Sequence, residues 1–486
     1  MKFITRSVFI RTLGIRYLGI NGLFTNILTL LSLAELGLDS AIIFRLYKPI
    51  INKDQKQILL LMTFFRQAYR YVGLIIGLIG LLLMPFIPII ITDDVSFVNI
   101  ELVFIIYLFQ NLTTYFMYAY KSAIIKAHQK EYVLSAIDTV INIFISLIQI
   151  TILLLYDNFI MYLFTVVIFN IIKNLTIALY ANKQFPFIVE HTNIKLNKSE
   201  IRDIFKDCFA LFLHKINVVV LNATDNIILS IFIGLEVVGL YSNYILILTA
   251  LKTILKKFYT SISAGIGHLY ASEDIDHLQF VFKVANLFTI FIYGVTGLGI
   301  YFAGNSFIGI WLGKDYVIPG NFVLLLAIEM YIFGLQRNLA TFRTSMGLFE
   351  QAKYRPLFGI VINLGISVVL VKHLGICGVL IGTIISSLVT YMWFDPYIIY
   401  KFGFKKSVKK YYLKNFEYLL FILINGIIIK IFLNFINYEG LKYFLVAGFT
   451  SVTIPVMLLI VVYGKSDEAK YIKDILKKLI IKIKIR

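Results

Sequence analysis

Residues 71–91 read YVGLIIGLIGLLLMPFIPIII, and none of them is charged. A helix needs about 20 mostly apolar residues to cross the hydrocarbon core of a bilayer. Similar stretches recur along the chain, and together they predict thirteen membrane-spanning helices. These lie at 18–44, 71–91, 98–120, 134–155, 159–181, 208–233, 237–262, 281–303, 319–343, 356–371, 374–400, 416–436 and 441–463.

The composition of the whole chain also indicates a membrane protein. Of the 486 residues, 59% are hydrophobic and 15% are charged, against roughly 45–50% and about 25% in a soluble domain. This excludes a soluble globular protein, a disordered chain and a nucleic-acid-binding domain, despite the net charge of +19. The six histidines are scattered, Cys208 and Cys377 lack metal-site spacing, and there is no P-loop. We therefore expect no metal site, structural disulfide, cofactor or ATP hydrolysis.

The basic residues predict how the chain is oriented. The tail at 464–486 holds eight Lys and Arg residues. If the tail is cytoplasmic, every second loop is cytoplasmic too, and tail and loops together hold 34 Lys and Arg residues against seven on the other side. Cytoplasmic loops of membrane proteins carry such an excess, so a cytoplasmic C-terminus is predicted. The cytoplasmic loops are then 45–70, 121–133, 182–207, 252–280, 343–356 and 401–415.

The two halves of the sequence resemble each other at an offset near 221. Residues 13–20 (LGIRYLGI) align with residues 233–240 (IGLEVVGL), and Val140-Ile141-Asn142 aligns with Val361-Ile362-Asn363. Each repeat spans six helices, an even number, so both halves have the same orientation around an axis along the membrane normal. The counterpart of the helix at 208–233 would lie near −12 to 12. A shortened first helix, or a start upstream of Met1, is therefore expected.

The repeat predicts the domain organisation. The expected segments are an N-terminal bundle at 1–181, a cytoplasmic linker at 182–207, a C-terminal bundle at 208–400, two additional helices at 401–463 and a basic tail at 464–486. Within the linker, Asn197-Lys198-Ser199-Glu200 is typical of a helix cap and predicts a short interfacial helix at 199–207. Residues 471–479 predict a basic amphipathic helix on the inner membrane surface.

Polar residues inside the spans are costly and indicate function by default. Spacings of seven and eleven share a helix face, so Lys215, Asn222 and Asn226 form one stripe. Glu329, Gln336 and Arg343 form another. The alternative is a structural hydrogen bond or an end residue that reaches the interface, which we favour for Glu35, Asp138 and Arg343. The residues expected to line a polar cavity are Lys173, Lys215, Asn222, Asp225, Asn226, Gln336 and Arg337. Such a cation-leaning set suits an anionic, hydroxyl-rich cargo.

Several motifs resemble one family of membrane proteins. The segment from Ala34-Glu35-Leu36-Gly37 to Ala41, and Leu46-Tyr47-Lys48-Pro49, resemble the first loop region of Wzx-type polysaccharide flippases. Thr224-Asp225-Asn226-Ile227-Ile228, followed by residues 235–244 (LEVVGLYSNY), resembles their seventh-to-eighth helix region. These flippases belong to the MOP exporter superfamily, together with MATE exporters and lipid II flippases. The resemblance covers nearly the whole chain.

The resemblance implies an all-α polytopic fold of two six-helix bundles around a central cavity, plus two C-terminal helices. It implies a non-enzymatic protein of the bacterial plasma membrane that flips an undecaprenyl-pyrophosphate-linked oligosaccharide for capsule, O-antigen or exopolysaccharide synthesis. The implied partners are this cargo, membrane lipid, and the polysaccharide polymerase and chain-length machinery. It adds Arg6 and Arg11 to the cavity residues. For alternating access driven by an ion or proton gradient, Asp39 and Asp225 are the candidate carriers.

Three other functions stay open at this point. One is a MATE-like exporter of small molecules, although a cation-leaning cavity argues against cationic drugs. Another is a lipid II flippase. The third is a membrane-embedded enzyme such as a polysaccharide polymerase, which usually needs a large external loop or an acidic cluster. The longest outer loop predicted here is about 15 residues, at 304–318, which disfavours the enzyme.

Overall fold

A computed structural model describes residues 1–35, 38–93, 95–117, 119–189, 196–272, 274–348, 350–436 and 438–484, and these contain helices and no strand. Side chains at 34, 40, 119, 189, 207, 210, 211, 213–215, 217, 218, 221, 222, 264, 476 and 478–484 lie outside this description. The chain divides into two compact units, Met1–Ser242 and Asn243–Arg486. The predicted boundaries of the two bundles stay a prediction.

The first unit holds ten helices and the start of an eleventh within its described residues. They are α1 (Lys2–Leu13), α2 (Ile15–Leu31), α3 (Leu38–Ile51), α4 (Gln55–Leu83), α5 (Ile87–Ile90), α6 (Ile100–Phe116), α7 (Ser122–Ala127), α8 (Glu131–Tyr156), α9 (Phe159–Gln184), α10 (Lys198–Phe232) and the first residues of α11 (Leu235–Ala271).

The second unit continues α11 and adds seven helices in its described part. They are α12 (Ile275–Trp311), α13 (Gly320–Ser345), α14 (Arg355–Leu374), α15 (Ile376–Ile398), α16 (Lys409–Asn434), α17 (Gly440–Tyr463) and α18 (Asp467–Lys484). α15 runs on as a π-helix from Ile399 to Phe404. Phe282 of α12 lies in an aromatic core at one end of this unit, 4.9 Å from the Phe342 ring and 5.5 Å from the Phe404 ring.

Ten described helices are long and apolar enough to cross a membrane, and each coincides with a predicted span. Of the other three predicted spans, 98–120 corresponds to α6, which has 17 residues. The span at 208–233 lies in α10, whose described apolar part is Ala223–Phe232. The chain is thus a multi-pass membrane protein.

The prediction of one continuous span over 18–44 is wrong. α2 ends at Leu31, a 3-10 turn covers Ser32–Glu35, and α3 begins at Leu38. The Ser32 hydroxyl donates to the Leu28 carbonyl at 2.9 Å, and the Glu35 carboxylate accepts hydroxyl groups from Tyr69 and Tyr115 at 2.8 and 2.6 Å. The two tyrosines belong to α4 and α6, so the turn is held by residues far away in the sequence. Hydropathy alone therefore did not reveal it.

The separate short helix predicted at 199–207 is also wrong, although its capping box is confirmed. The Glu200 side chain accepts from the Asn197 backbone N–H at 2.9 Å. The helix that starts there is α10, which continues to Phe232 because no helix breaker interrupts it. The predicted helix at 471–479 lies within α18, where Tyr471 packs edge-on against Phe280 at 5.4 Å.

Candidate functional site

Arg337 of α13 is a half-buried cation inside a membrane-spanning helix. Among the described residues it makes no ion pair, and its Nε is buried without a hydrogen-bond partner. The guanidinium interacts electrostatically with Tyr259 of α11 and Tyr293 of α12. A guanidinium has five N–H donors and no acceptor, and a desolvated charge is costly unless it is paired. The arrangement therefore suits an anionic ligand.

Further polar groups lie on α11, α12 and α13, the helices that carry Tyr259, Tyr293 and Arg337. The Tyr259 hydroxyl lies 2.7 Å from the Thr289 hydroxyl. Tyr293 is 1% exposed, and its hydroxyl has no partner within the described part of the chain. The Gln336 Nε2 is likewise buried without a partner there. Gly334 makes room for the Tyr293 ring, because a Cβ atom there would lie 2.5 Å from Cδ2 of Tyr293. The site thus presents donors that a phosphate or a sugar hydroxyl can use.

A paired charge lies two turns away on the same face of α13. The Lys252 ammonium of α11 contacts the Glu329 carboxylate at 2.6 Å, and the two side chains are 18% and 16% exposed. The ammonium also lies 4.7 Å from the centroid of the Phe333 ring. The positive charge of Lys252 is therefore compensated, unlike that of Arg337.

In the first unit, Asp225 and Asn226 of α10 are buried. Asp225 accepts a hydrogen bond from the Tyr241 hydroxyl at 2.9 Å. Asn226 approaches α2, where its Nδ2 would lie 3.3 Å from a Cβ atom at Gly22. The predicted neighbours Lys215 and Asn222 lie on the same helix, but their side chains are outside the described residues. Of the predicted stripe on α10, only the side chain at the C-terminal end, Asn226, is described.

The other predicted site residues lie elsewhere in the first unit. Asp39 contacts the Lys126 ammonium at 2.8 Å, and Lys173 lies 3.5 Å from Asp138. Arg6 is half-buried beside Tyr162, and Arg11 is exposed in the last turn of α1. Their roles in a cavity stay predictions.

In the 3-10 turn Ala119–Lys121, just before α7, Lys121 is a buried cation that sequence analysis did not select. Its ammonium donates to the Asn182 side chain at 2.6 Å. Burial lowers the pKa of Lys121, and the charge of Arg66 lowers it further. Lys121 and Arg343 are 222 positions apart, close to the offset of the predicted repeat, so the repeat was the signal in the sequence for a cation at both positions.

A second buried cluster, in the second unit, was also missed. The Asp395 carboxylate of α15 is fully buried and contacts two cations, Arg343 of α13 at 3.4 Å and Arg355 of α14. The Arg355 guanidinium lies over the Tyr391 ring, 4.0 Å from its centroid. The signal in the sequence was one acidic residue inside an apolar run. The two ion pairs of this buried carboxylate indicate a structural role.

Comparison with known proteins leaves the family open but identifies the fold. No protein-family model and no curated protein matches the chain. An inward-facing multidrug resistance MATE family transporter of the MOP superfamily matches with a TM-score of 0.61 and 12% identity, over 81% of this chain and 93% of that one. The lipid II flippase MurJ, in an inward closed conformation, matches with a TM-score of 0.61 and 16% identity, over 95% and 96%.

A MATE transporter from Vibrio cholerae matches with a TM-score of 0.54 and 12% identity, over 83% of this chain and 98% of that one. The Wzx-type resemblance stays a prediction, because none of these structures is of that kind. At such low identities the likeness shows the fold, and the chain has the all-helical fold of the MATE and MOP transporters.

Proposed function

We propose that this protein flips an undecaprenyl-pyrophosphate-linked oligosaccharide from the inner to the outer leaflet of the bacterial plasma membrane, for capsule, O-antigen or exopolysaccharide synthesis. The observation that carries the proposal is the uncompensated Arg337 cation. The MATE and MOP fold supports a transporter or flippase in general. The chemistry of the Arg337 site and the sequence resemblance support this particular cargo.

The Arg337 site fits the charged part of such a cargo. A guanidinium can bind phosphate through two parallel hydrogen bonds, and Tyr259 and Tyr293 are close enough to interact electrostatically with it. Hydroxyls and amides around it, such as Gln336, can exchange hydrogen bonds with sugar hydroxyls. A MATE-like exporter of small cations is disfavoured, because an unpaired guanidinium repels a cationic cargo.

The mechanism that we propose is alternating access. Arg337 binds the pyrophosphate while the site is open to the cytoplasm, the protein opens to the other side, and the polyprenyl tail stays in the lipid throughout. The carboxylates proposed to carry coupling protons, Asp39 and Asp225, are held by Lys126 and Tyr241 respectively. A proton arriving at either carboxylate would weaken that contact.

Lipid II flipping is the second candidate, and one observation favours it. The MurJ structure matches 95% of this chain, whereas the two MATE structures match 81% and 83%. The match to the lipid II flippase therefore covers more of the chain. The two cargoes are distinguished by which lipid-linked intermediate accumulates in cells that lack the protein.

The first test is complementation of a deletion strain with Arg337→Gln, Arg337→Lys and the control Arg70→Gln, which alters an exposed arginine on α4. In the proposed complex, Arg337 and the pyrophosphate form a buried charged pair. Removing one partner of such a pair costs about 2–5 kcal/mol of binding free energy. We therefore expect Arg337→Gln to lose surface polymer and to accumulate the lipid-linked oligosaccharide on the cytoplasmic leaflet. Arg337→Lys should rescue in part, since Lys is a point charge without the planar fork.

Binding of the charged lipid can also be measured on the purified protein, without cells. Undecaprenyl pyrophosphate is the probe, undecaprenol is the uncharged control, and the readout is the shift in thermal unfolding in nanodiscs. The parental protein and Arg70→Gln should be stabilised by the pyrophosphate only, and Arg337→Gln by neither. Normal surface polymer and normal pyrophosphate binding in Arg337→Gln would remove the basis of the proposal.

A further inference from the structure

Two equivalent helix junctions meet inside the first unit. Gly14 joins α1 to α2 with a φ of 89°, and Gly234 joins α10 to α11 with a φ of 126°. L-residues with a side chain rarely adopt these angles. The two glycines are 220 positions apart, close to the offset of the predicted repeat. The sequence predicts both junctions on the outer side of the membrane, together with the loop that contains Asp93.

The contact between these junctions is reciprocal. A Cβ atom at Gly19 of α2 would lie 2.8 Å from the carbonyl carbon of Leu235, the first residue of α11, and nearer still to its oxygen. A Cβ atom at Gly239 of α11 would lie 2.5 Å from the carbonyl oxygen of Ile15, the first residue of α2. Each glycine therefore receives the backbone at the start of the other helix. The pairs 19–235 and 239–15 are related by the same 220-residue shift.

Polar contacts complete this junction. The Asp93 carboxylate accepts the Leu235 backbone N–H at 2.6 Å and so caps the N-terminus of α11 from the end of the α4–α5 segment. The Ser230 hydroxyl donates to the Ile90 carbonyl at 2.9 Å, and the Thr92 hydroxyl donates to the Ser230 carbonyl at 3.3 Å. Free N–H groups at a helix start can be satisfied by a carboxylate or by water. The cap can thus be exchanged for water without leaving an unsatisfied group.

We propose that these contacts form an outer latch, made of Gly19, Gly239, Asp93 and Ser230, which holds α2 against α11 and must separate each time the protein opens outward. The inference rests on the proposed transport function. At Gly19 the close contact is with the partner backbone alone, and at Gly239 it is with the backbone and the side chain of Ile15. Small residues at a helix contact let two backbones approach closely, so a larger residue at either glycine should weaken the contact.

The first test measures opening without any cargo. The reporter is Val238→Cys, at a position that is 0% exposed beside Gly239, in a chain with Cys208→Ser and Cys377→Ser. A membrane-impermeant maleimide is added to intact cells and, separately, to inside-out vesicles, so that the side of opening is measured rather than assumed. Ile20→Cys, on α2 and also 0% exposed, is the second reporter if the first does not fold.

The expected changes follow from the packing. A methyl group forced into a close-packed contact costs enough to shift an equilibrium by roughly five- to 150-fold. Gly19→Ala and Gly239→Ala should therefore raise the labelling rate in intact cells by about that factor. Gly77→Ala is the matched control, because its methyl would lie at ordinary distance, 3.4 Å, from the Leu112 side chain. Asp93→Ala should raise labelling about two- to thirty-fold, the usual effect of losing a helix cap.

The second test asks whether the latch must open during transport. A Cβ atom at Gly22 would lie 2.9 Å from the Ser242 hydroxyl oxygen, so Gly22→Cys with Ser242→Cys should form a disulfide across the contact. We expect the oxidised protein to stop flipping the lipid-linked oligosaccharide and the reduced protein to recover. Each single cysteine variant, treated with the same oxidant, is the control.

The outcomes separate the latch from the proposed function. Equal labelling of Gly19→Ala, Gly77→Ala and the parental protein would overturn the latch, as would full flipping by the disulfide-linked protein. If labelling rises in the latch variants, but neither the oxidised nor the reduced protein flips the lipid-linked oligosaccharide after reconstitution into vesicles, the proposed cargo is wrong and the latch stands.

Discussion

The buried cluster around Asp395 allows a prediction whose size follows from its charges. Asp395 is 0% exposed, and Arg343 and Arg355 are 5% and 9% exposed. One carboxylate therefore compensates two cations, and the cluster carries a net charge of about +1. Asp395→Asn keeps the shape of the side chain but leaves two buried guanidinium groups without a counterion. Arg355→Met instead leaves one neutral pair, Arg343 with Asp395.

This difference predicts an order of stability. Breaking a buried ion pair from one side costs about 3–5 kcal/mol, so Asp395→Asn should lower the free energy of unfolding by at least that amount. Arg355→Met loses the contact with the Tyr391 ring, worth about 2 kcal/mol when desolvated. Its charge was in excess, so the remaining pair stays compensated. Asp395→Asn should therefore lower the free energy of unfolding more than Arg355→Met does.

Thermal unfolding of the purified protein in nanodiscs measures the order. For a unit of this size, each kcal/mol corresponds to about 2–4 °C in Tm, so Asp395→Asn should unfold about 6–20 °C lower. Arg355→Met should show a smaller loss, of about 4–8 °C. Asp467→Asn, whose side chain is 82% exposed in the same unit, is the matched control and should be unchanged. A larger loss in Arg355→Met than in Asp395→Asn would refute the reasoning from net charge.

Two further predictions concern the Arg337 site and use the same assay. Gly334→Ala places a methyl group 2.5 Å from Cδ2 of the buried Tyr293 and should lower the free energy of unfolding by about 1–3 kcal/mol. The control Gly299→Ala has nothing within 4 Å of its Cβ position and should be neutral. Equal effects of the two variants would contradict the close packing at Gly334. Glu329→Gln should cost about 1–3 kcal/mol by leaving the partly exposed Lys252 ammonium uncompensated, and adding Lys252→Met should restore most of the loss; a double-mutant coupling near zero would contradict the ion pair.

The membrane spans could be predicted from the sequence because hydropathy is a local property. Ten helices such as α8 and α17 coincide with predicted spans, since a run of apolar residues forms a helix in the membrane whatever surrounds it. The break after Leu31 could not be predicted in this way. It depends on hydroxyl groups of Tyr69 and Tyr115, which come from other helices and are far away in the sequence.

The candidate site was predictable only in part, for a related reason. Arg337 stands out in the sequence because a cation is costly inside a span. The residues near it do not stand out. Tyr293 and Gly334 are ordinary residues of two apolar helices, and only the packing of those helices brings them together. Asp395 was missed because the two cations that explain it come from α13 and α14.

Several charges in the described part of the chain have an ion-pair partner inside the protein. Asp39 contacts Lys126, Lys252 contacts Glu329, and Asp395 contacts two arginines, so a ligand at any of these charges would have to displace an existing partner. Arg337 requires no such displacement, because the guanidinium has no anion in the part of the chain that the structure describes. A cation in a membrane-spanning helix is costly unless water or a counterion compensates it. Under the proposed function, the pyrophosphate of the cargo is this counterion.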